Sequence, residues 1–514
     1  MTPQALTDTP LWHEAVDWGV VLVFATVYLG MFLGGLPRLK LDRAGVALLG
    51  AIAVIGLGAV STEEAARAVD LPTIVLLFSF MVVSAQMHMG GFYAAVAQRV
   101  AALALEPPAL LAVMIGVAAA LSAVFSNDIV CLAMTPFVAR LCVQRGLAPV
   151  PFLVGLACAA NIGSAATLIG NPQNMLIGSI MKLPFGAYSR AALLPVLLSL
   201  LALWLWLCLA PARWLGGGQG LRSRPSAPEA HAAATAPTPA VDRWQTLKGG
   251  AVALVLMAVF LLTDWPREVA ALMGAGVLLL SRRFHSSHVM GAVDWELLVL
   301  FIGLFVVNHA FAGTGLPALA VAWLGSHGVH LNETGPLFAA GVVLSNLVSN
   351  VPAVMLLLPH LSGAEAATTL ALVSTFAGNL LLVGSIANLI VADLARDAGV
   401  HIDWHAHLRI GVPVTLISLA IVAFAPRLCR PAQARPRTLR RAAVRGRSGT
   451  TAPWRPGPAP STVPGPAPPS GPAPCQSPAV PAPVQTARAP ESSPAAPRSR
   501  PGRTRPAARC PWQS

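Results

Sequence analysis

Charge is scarce in this sequence. Asp, Glu, Lys and Arg make up 11% of its 514 residues, against 55% hydrophobic residues and a mean hydropathy of +0.67. Soluble domains carry roughly a quarter charged residues, so that class is excluded. Catalytic signatures are missing too. There is no HExxH, no G-x-S-x-G elbow and no G-x-x-x-x-G-K-[ST] loop, which argues against an enzyme and against built-in ATP hydrolysis, while leaving a separate ATPase subunit open. The seven cysteines form no CxxC and no Cys/His spacing suited to zinc, so no metal site is read beyond one for Na⁺. The N-terminus has Asp8, Glu14 and Asp17 but no Lys or Arg, unlike the basic start of a signal peptide.

The net charge of +13 is misleading. Residues 427–514 hold fifteen Arg and one Glu, so the rest of the chain is nearly neutral. That distribution gives no ground for a nucleic-acid partner. The 427–514 tail, rich in Pro, Ala, Ser and Arg, cannot bury a core and reads as disordered, with a polybasic lipid-binding role as the alternative. What fills the remainder is a series of apolar runs from Trp18 to Ala425. Each approaches the ~20 residues that a bilayer core requires, so the expected class is an all-α polytopic protein of the plasma (bacterial inner) membrane, with lipid as its solvent. Arg38, Lys40 and Arg43 after the first run place the N-terminus outside by the positive-inside rule.

Polar residues nevertheless sit in the middle of apolar segments. "AALSAVFSNDIVCLAMTPF" carries Ser126, Asn127 and Asp128, and "GVVLSNLVSNVPAVMLLLP" carries Ser349 and Asn350. The first lies in a stretch too short for two full spans but flanked by Arg at both ends, which predicts a re-entrant hairpin at 109–140; a second is predicted at 336–361. "NIGSAATLIGNPQN" and "GNLLLVGSIAN" carry helix-breaking residues, predicting discontinuous helices at 151–181 and 368–393. The halves also align. Residues 70–92 match 294–316 at an offset of 224, pairing Asp70 with Asp294 and Gly91 with Gly315. Ser126-Asn127 falls on Ser349-Asn350 at 223, and Gly170 and Asn174 fall on Gly384 and Asn388 at 214. The organisation expected is a first repeat at 18–211, a cytoplasmic linker at 212–246, a second repeat at 247–426, and the tail. It amounts to about ten spans plus two hairpins, with an odd number of crossings between equivalent points. The repeats are therefore inverted, and inverted repeats with broken helices and mid-membrane polar motifs describe a secondary transporter.

Helix ends inside the membrane expose N–H groups that suit anions and carbonyls that suit Na⁺ or proton donors. Ser126, Asn127, Thr167, Gly170, Asn171 and Asn174 form one expected half-site; Ser349, Asn350, Gly384, Ser385 and Asn388 form the other. Each Ser or Asn could instead serve helix packing. Asp128 costs ~2.5–3.5 kcal/mol or more at mid-membrane and is the candidate for coupling to H⁺ or Na⁺. His309, beside Asn308, is a further candidate, with a structural role favoured. Asp70 and Asp294 read first as helix caps.

At these residues the chain, from about Val20 to Ala425, resembles the ion transporter superfamily, which includes citrate transporters, divalent anion/sodium symporters, arsenical pump membrane proteins and NhaD-type sodium/proton antiporters. "SND" and "SNV" resemble that group's Ser-Asn-Thr hairpin tips, and "STFAGNLLLVGSIANLIV" resembles its unwound segment, particularly in the arsenite and anion permease branch. The resemblance implies an elevator-type homodimer carrying a small anionic or weakly charged substrate down an ion gradient, with no cofactor beyond the coupling ion. An arsenite efflux permease or a sodium/proton antiporter are the alternatives. Asp128 and Val351 replace both threonines, and an acid at one tip disfavours a di-anion because like charges repel.

Overall fold

Several of the polar residues that border the apolar runs fall at helix ends. Asp42, Ser61, Asp70, Asn171, Asp242 and Asp294 each use a side-chain oxygen to accept a backbone N–H from the first turn that follows, which satisfies groups a helix leaves unpaired. In the computed structural model, residues 10–35, 39–210, 221, 241–280 and 285–428 are described. The linker expected at 212–246, up to residue 240 and save for Leu221, and the tail from residue 429 lie outside the described residues.

The described residues form twenty α-helices and no strand. The first ten are α1 (Pro10–Leu33), α2 (Arg43–Gly56), α3 (Thr62–Ala68), α4 (Leu71–Met89), α5 (Phe92–Ala102), α6 (Pro107–Val124), α7 (Asn127–Arg145), α8 (Pro149–Ser164), α9 (Pro172–Ile180) and α10 (Phe185–Leu209). The second ten are α11 (Arg243–Leu262), α12 (Arg267–Leu279), α13 (Ser286–Gly291), α14 (Trp295–Gly313), α15 (Leu316–Ser326), α16 (Thr334–Val348), α17 (Asn350–Leu357), α18 (Ala364–Ala377), α19 (Ile386–Asp397) and α20 (Trp404–Leu428). Seven are long and apolar enough to cross a membrane: α1, α4, α6, α10, α11, α14 and α20. Six of these seven are equivalent pairs when α1–α10 are laid on α11–α20 in order.

The correspondence extends to local detail. Asp70 caps α4 as Asp294 caps α14, and Gly91 and Gly315 enter α5 and α15 at φ 74° and 72°, a left-handed conformation that glycine adopts without a Cβ clash. Packing is exchanged between the halves. Helix α4 packs on α12, and its counterpart α14 packs on α2; α6 packs on α8 as α16 packs on α18; α10 lies against its own counterpart α20.

The hairpin arms α6 and α7 run past the expected 109–140. A count of apolar residues stops at the first charge, but α7 continues because Arg140 covers the Phe137 ring at 4.9 Å and Arg145 donates to the carbonyls of Ala101 and Leu103 at 2.6 and 2.7 Å. The core centres on α8 and α18. All residues from Pro151 to Ser164 are buried, as are Thr369 to Ala377. A helix apolar on every side belongs at the centre of a bundle.

Candidate functional site

Both central helices stop inside the protein. Helix α8 ends at Ser164 and α9 resumes at Pro172; α18 ends at Ala377 and α19 resumes at Ile386, with one 3₁₀ turn at Leu382–Gly384 between them. The N-termini of α7 and α17, where the sequence predicts the hairpin tips, reach the same region through Asn127 and Asn350.

Broken backbone in a buried place needs partners for its freed polar groups, and side chains supply them. Asn388 donates to the carbonyls of Gly378 and Leu381 at 2.9 and 3.2 Å. Asn174 donates to the Thr167 carbonyl at 3.2 Å, and the Tyr188 hydroxyl donates to that of Ala165 at 2.9 Å. Thr167 donates to Ala123 of the hairpin arm, and the Asn127 N–H donates to the Gly170 carbonyl at 3.3 Å. At Gly170 the backbones are so close that a Cβ would stand 2.3 Å from the Ser164 carbonyl oxygen and 2.6 Å from that of Ser122. Only glycine fits there.

Asn161, near the end of α8, is the hub of this network. Its Oδ1 accepts from Asn127 Nδ2 at 2.9 Å and from Ser385 Oγ at 3.1 Å, while its Nδ2 donates to Asn379 Oδ1 at 2.8 Å and Asn388 Oδ1 at 3.2 Å. Two donors and two acceptor sites are the full capacity of an amide. The residue 214 positions on is Thr375, whose hydroxyl accepts from Asn171 at 3.3 Å and Gln173 at 3.2 Å. Asn171 and Ser385 are themselves 214 apart. The bonds Ser385–Asn161 and Asn171–Thr375 are thus the same brace made once from each half.

Among the described residues no Lys, Arg, Asp or Glu is buried; the buried polar set is Asn, Gln, Ser and Thr with His407. Several buried side-chain atoms have no protein partner, including the amide oxygens of Asn127, Asn174 and Asn350 and of the half-buried Asn346. Each is a buried acceptor that no donor among the described residues satisfies. Ser349 holds φ 77° and ψ 160°, a conformation almost restricted to glycine that costs a serine ~1–3 kcal/mol. Asp128, half-buried in the first turn of α7, makes no hydrogen bond or ion pair among the described residues. No group of three His, Cys, Asp or Glu among those residues could hold a metal ion.

The structure gathers the expected residues unevenly. Asn127, Asn171, Asn174, Ser385 and Asn388 are buried and belong to the bonded network; Thr167 joins it half-buried; Gly170 and Gly384 are buried in the two breaks. Asn350 is buried against Gly378, whose added Cβ would meet its amide at 2.9 Å, and Ser126 and Ser349 are half-buried at the tips. Asn308 and His309 stand apart: Asn308 accepts from the Tyr28 hydroxyl at 2.8 Å, and His309 is exposed on α14 near Glu64. Sequence reasoning passed over Asn161, Ser164, Thr375, Asn379 and His407. Extending the 214 offset nine residues back from Gly170 and Gly384 reaches Asn161 and Thr375; they were missed because the pair is not identical.

Comparison with known proteins gives a consistent picture. Residues 35–377 match the sequence profile of the citrate transporter family. The silicon efflux transporter LSI3 of Oryza sativa subsp. japonica is 30% identical over 78% of this chain and 96% of its own length. The putative transporter arsB of Dictyostelium discoideum is 24% identical over 75% and 87%. The crystal structure of the Alcanivorax borkumensis YdaH transporter superposes with a TM-score of 0.51 at 14% identity, covering 82% of this chain and 99% of that one, so the two share a fold.

Proposed function

The chain belongs to the citrate transporter family, an integral membrane transporter family and not an enzyme family, and on that premise we propose that it is a secondary transporter of a small oxyacid in its neutral or weakly charged form. The observation that carries the substrate class is the buried polar set, built of amides and hydroxyls with one histidine, His407, and with no Lys, Arg, Asp or Glu among the described residues. A di-anion such as a dicarboxylate would require buried cations to offset its desolvation. A hydroxylated weak acid requires only hydrogen-bond donors and acceptors, and the unpartnered amide oxygens of Asn127, Asn174, Asn346 and Asn350 accept from its hydroxyl groups. Silicic and arsenous acids have this chemistry, and the names of the rice and Dictyostelium relatives agree with it.

The matched order of α1–α10 and α11–α20, with packing exchanged between the halves, supports inverted repeats related by a two-fold axis in the membrane plane. In this reading the hairpins α6–α7 and α16–α17 re-enter the bilayer of a bacterial inner membrane. They move together with the broken helices as an elevator against a scaffold of α1–α5 and α11–α15, in a homodimer. Asp128, an acid at one hairpin tip and absent from the other, binds the coupling H⁺ or Na⁺.

The test is flux in proteoliposomes containing the purified chain. Arsenite, silicic acid, sulfate, phosphate and citrate are compared under imposed pH or Na⁺ gradients. Saturable, gradient-driven movement of arsenite or silicic acid is expected. Movement of citrate or sulfate without either oxyacid would refute the substrate class, and flux indifferent to both gradients would refute coupling.

A further inference from the structure

The last turn of α9 is gripped from two sides. The Ser179 hydroxyl donates to the Asp70 carboxylate at 2.8 Å, and Arg267 donates to the Gly178 carbonyl at 2.9 Å. Asp70 begins α4 and Arg267 begins α12, so both grips come from the helices assigned above to the scaffold. Asp70 is itself held by the Thr73 N–H at 3.1 Å and by the Thr73 hydroxyl. An arginine on a C-terminal carbonyl also complements the negative end of the helix.

The same residues exist in the other half. At the offset of 224, Asp70 corresponds to Asp294 and Arg267 to Arg43. Their surroundings are different. Asp294 is exposed and only caps its own helix, through the Leu297 N–H at 2.9 Å, and Arg43 has no side-chain partner among the described residues. Between them and α19, the counterpart of α9, lies a cleft of about 370 Å³ lined by Arg43, Asp294, Leu297, Val383, Ile386 and Leu389. One half is closed where the other is open.

We propose that Asp70 and Arg267 form a latch that holds the broken helix of the first half in the present state, and that Asp294 and Arg43 form the equivalent latch on α19 in the opposite state. The inference rests on the transporter reading above. Two equivalent sites related by a two-fold axis but closed on one side only are the two ends of one conformational exchange, and a residue that bonds in only one end shifts the balance towards it. The residues 214 positions after Gly178 and Ser179 are Ala392 and Asp393. In the opposite state they lie where Arg43 can reach the Ala392 carbonyl and the Asp393 carboxylate; Asp393 cannot donate to Asp294 as Ser179 does to Asp70, so Arg43 stands between the two carboxylates and pairs with both. Asp393 now pairs with Arg396 at 3.3 Å on an exposed surface.

Two reporters distinguish the states: Met175, which is 3% exposed, and its counterpart Leu389, which lines the cleft. Reporters M175C and L389C are made in the full chain with C208S, C429S, C475S and C510S; the three cysteines that remain, Cys131, Cys142 and Cys158, are buried, and the variant without a reporter cysteine gives their background labelling. Maleimide labelling is followed in proteoliposomes. D70A is expected to raise labelling of M175C by about tenfold, the factor set by one charge-assisted hydrogen bond, and to lower labelling of L389C. R267Q should act in the same direction, and D294A in the opposite one, shielding M175C further and leaving L389C open. A general loosening of structure would move both reporters upward in every variant, and that result, or no shift in correctly sized protein, overturns the latch. Flux is measured on the same vesicles. Flux with unshifted labelling rejects the latch alone; opposite shifts without flux of any tested solute reject the substrate reading and keep the latch.

Discussion

Replacing Asn161 with alanine is the most direct probe of the seam between the halves. The substitution deletes an amide that makes four side-chain bonds, three of them to Ser385, Asn379 and Asn388 of the other half. Two scales bracket the cost. Inter-helix hydrogen bonds in membrane proteins average ~0.6 kcal/mol, which sums to roughly 2 kcal/mol over four. A buried group left without a partner costs ~1–3 kcal/mol; Asn388 keeps the bonds its Nδ2 donates to Gly378 and Leu381, but its Oδ1, like Asn127 Nδ2, Asn379 Oδ1 and Ser385 Oγ, loses its Asn161 partner, so on this scale the loss is ~4 kcal/mol or more. S385A removes one of the four bonds and should cost ~1 kcal/mol. Chemical unfolding in detergent, followed by tryptophan fluorescence, measures both. The double variant N161A/S385A should cost less than the sum of the singles because they share a bond. An N161A protein within ~0.5 kcal/mol of the parent, the range of an uninvolved surface site, would show that the hub carries no weight and refute the reasoning.

G170A places a methyl group against two backbone oxygens that cannot rotate away; it should cost ~3 kcal/mol or more and abolish flux, and a fully active, stable G170A would contradict the observed contact. S349G removes the strain of a left-handed serine, with a gain of ~1–3 kcal/mol reduced by the ~0.5–1 kcal/mol entropy cost of glycine; the melting temperature in detergent should rise, and a fall would mean that the Ser349 side chain contributes bonding that outweighs its backbone. D128N should flatten the pH or Na⁺ dependence of flux while leaving the protein folded, because the amide cannot take up the coupling ion; an unchanged profile would remove Asp128 from coupling.

Much of this fold is legible because apolar length, breakers and caps act locally. Asp70 and Asp294 could be read as caps, and "NIGSAATLIGNPQN" as a break, from residue chemistry alone. The helix starts at Asn127 and Asn350 fall where Ser-Asn interrupts each apolar run. The hub could not be read in this way. Asn161 lies inside an apolar helix, and its role depends on Asn379 and Ser385, more than 200 residues away, arriving within bonding distance. The repeat alignment found positions where both halves kept the same residue, and the central brace uses an amide in one half and a hydroxyl in the other. The position of His309 was not legible for the converse reason. A histidine in an apolar run suggests a buried function, but sequence does not say which side of α14 it occupies, and it is exposed.

The mismatch of Asn161 and Thr375 has a consequence for the bound solute. A binding site on a perfect two-fold axis is a palindrome: a ligand without matching symmetry occupies it in two equal poses, and each pose is released to either side with equal ease. On the inverted-repeat reading proposed above, the axis would pass between an amide that donates and accepts and a hydroxyl that accepts from two amides. On that reading the two poses would be unequal in energy, through the partners that Asn161 and Thr375 orient, and a solute would enter with one preferred orientation. T375N would restore the palindrome at that position, and with it the ambiguity.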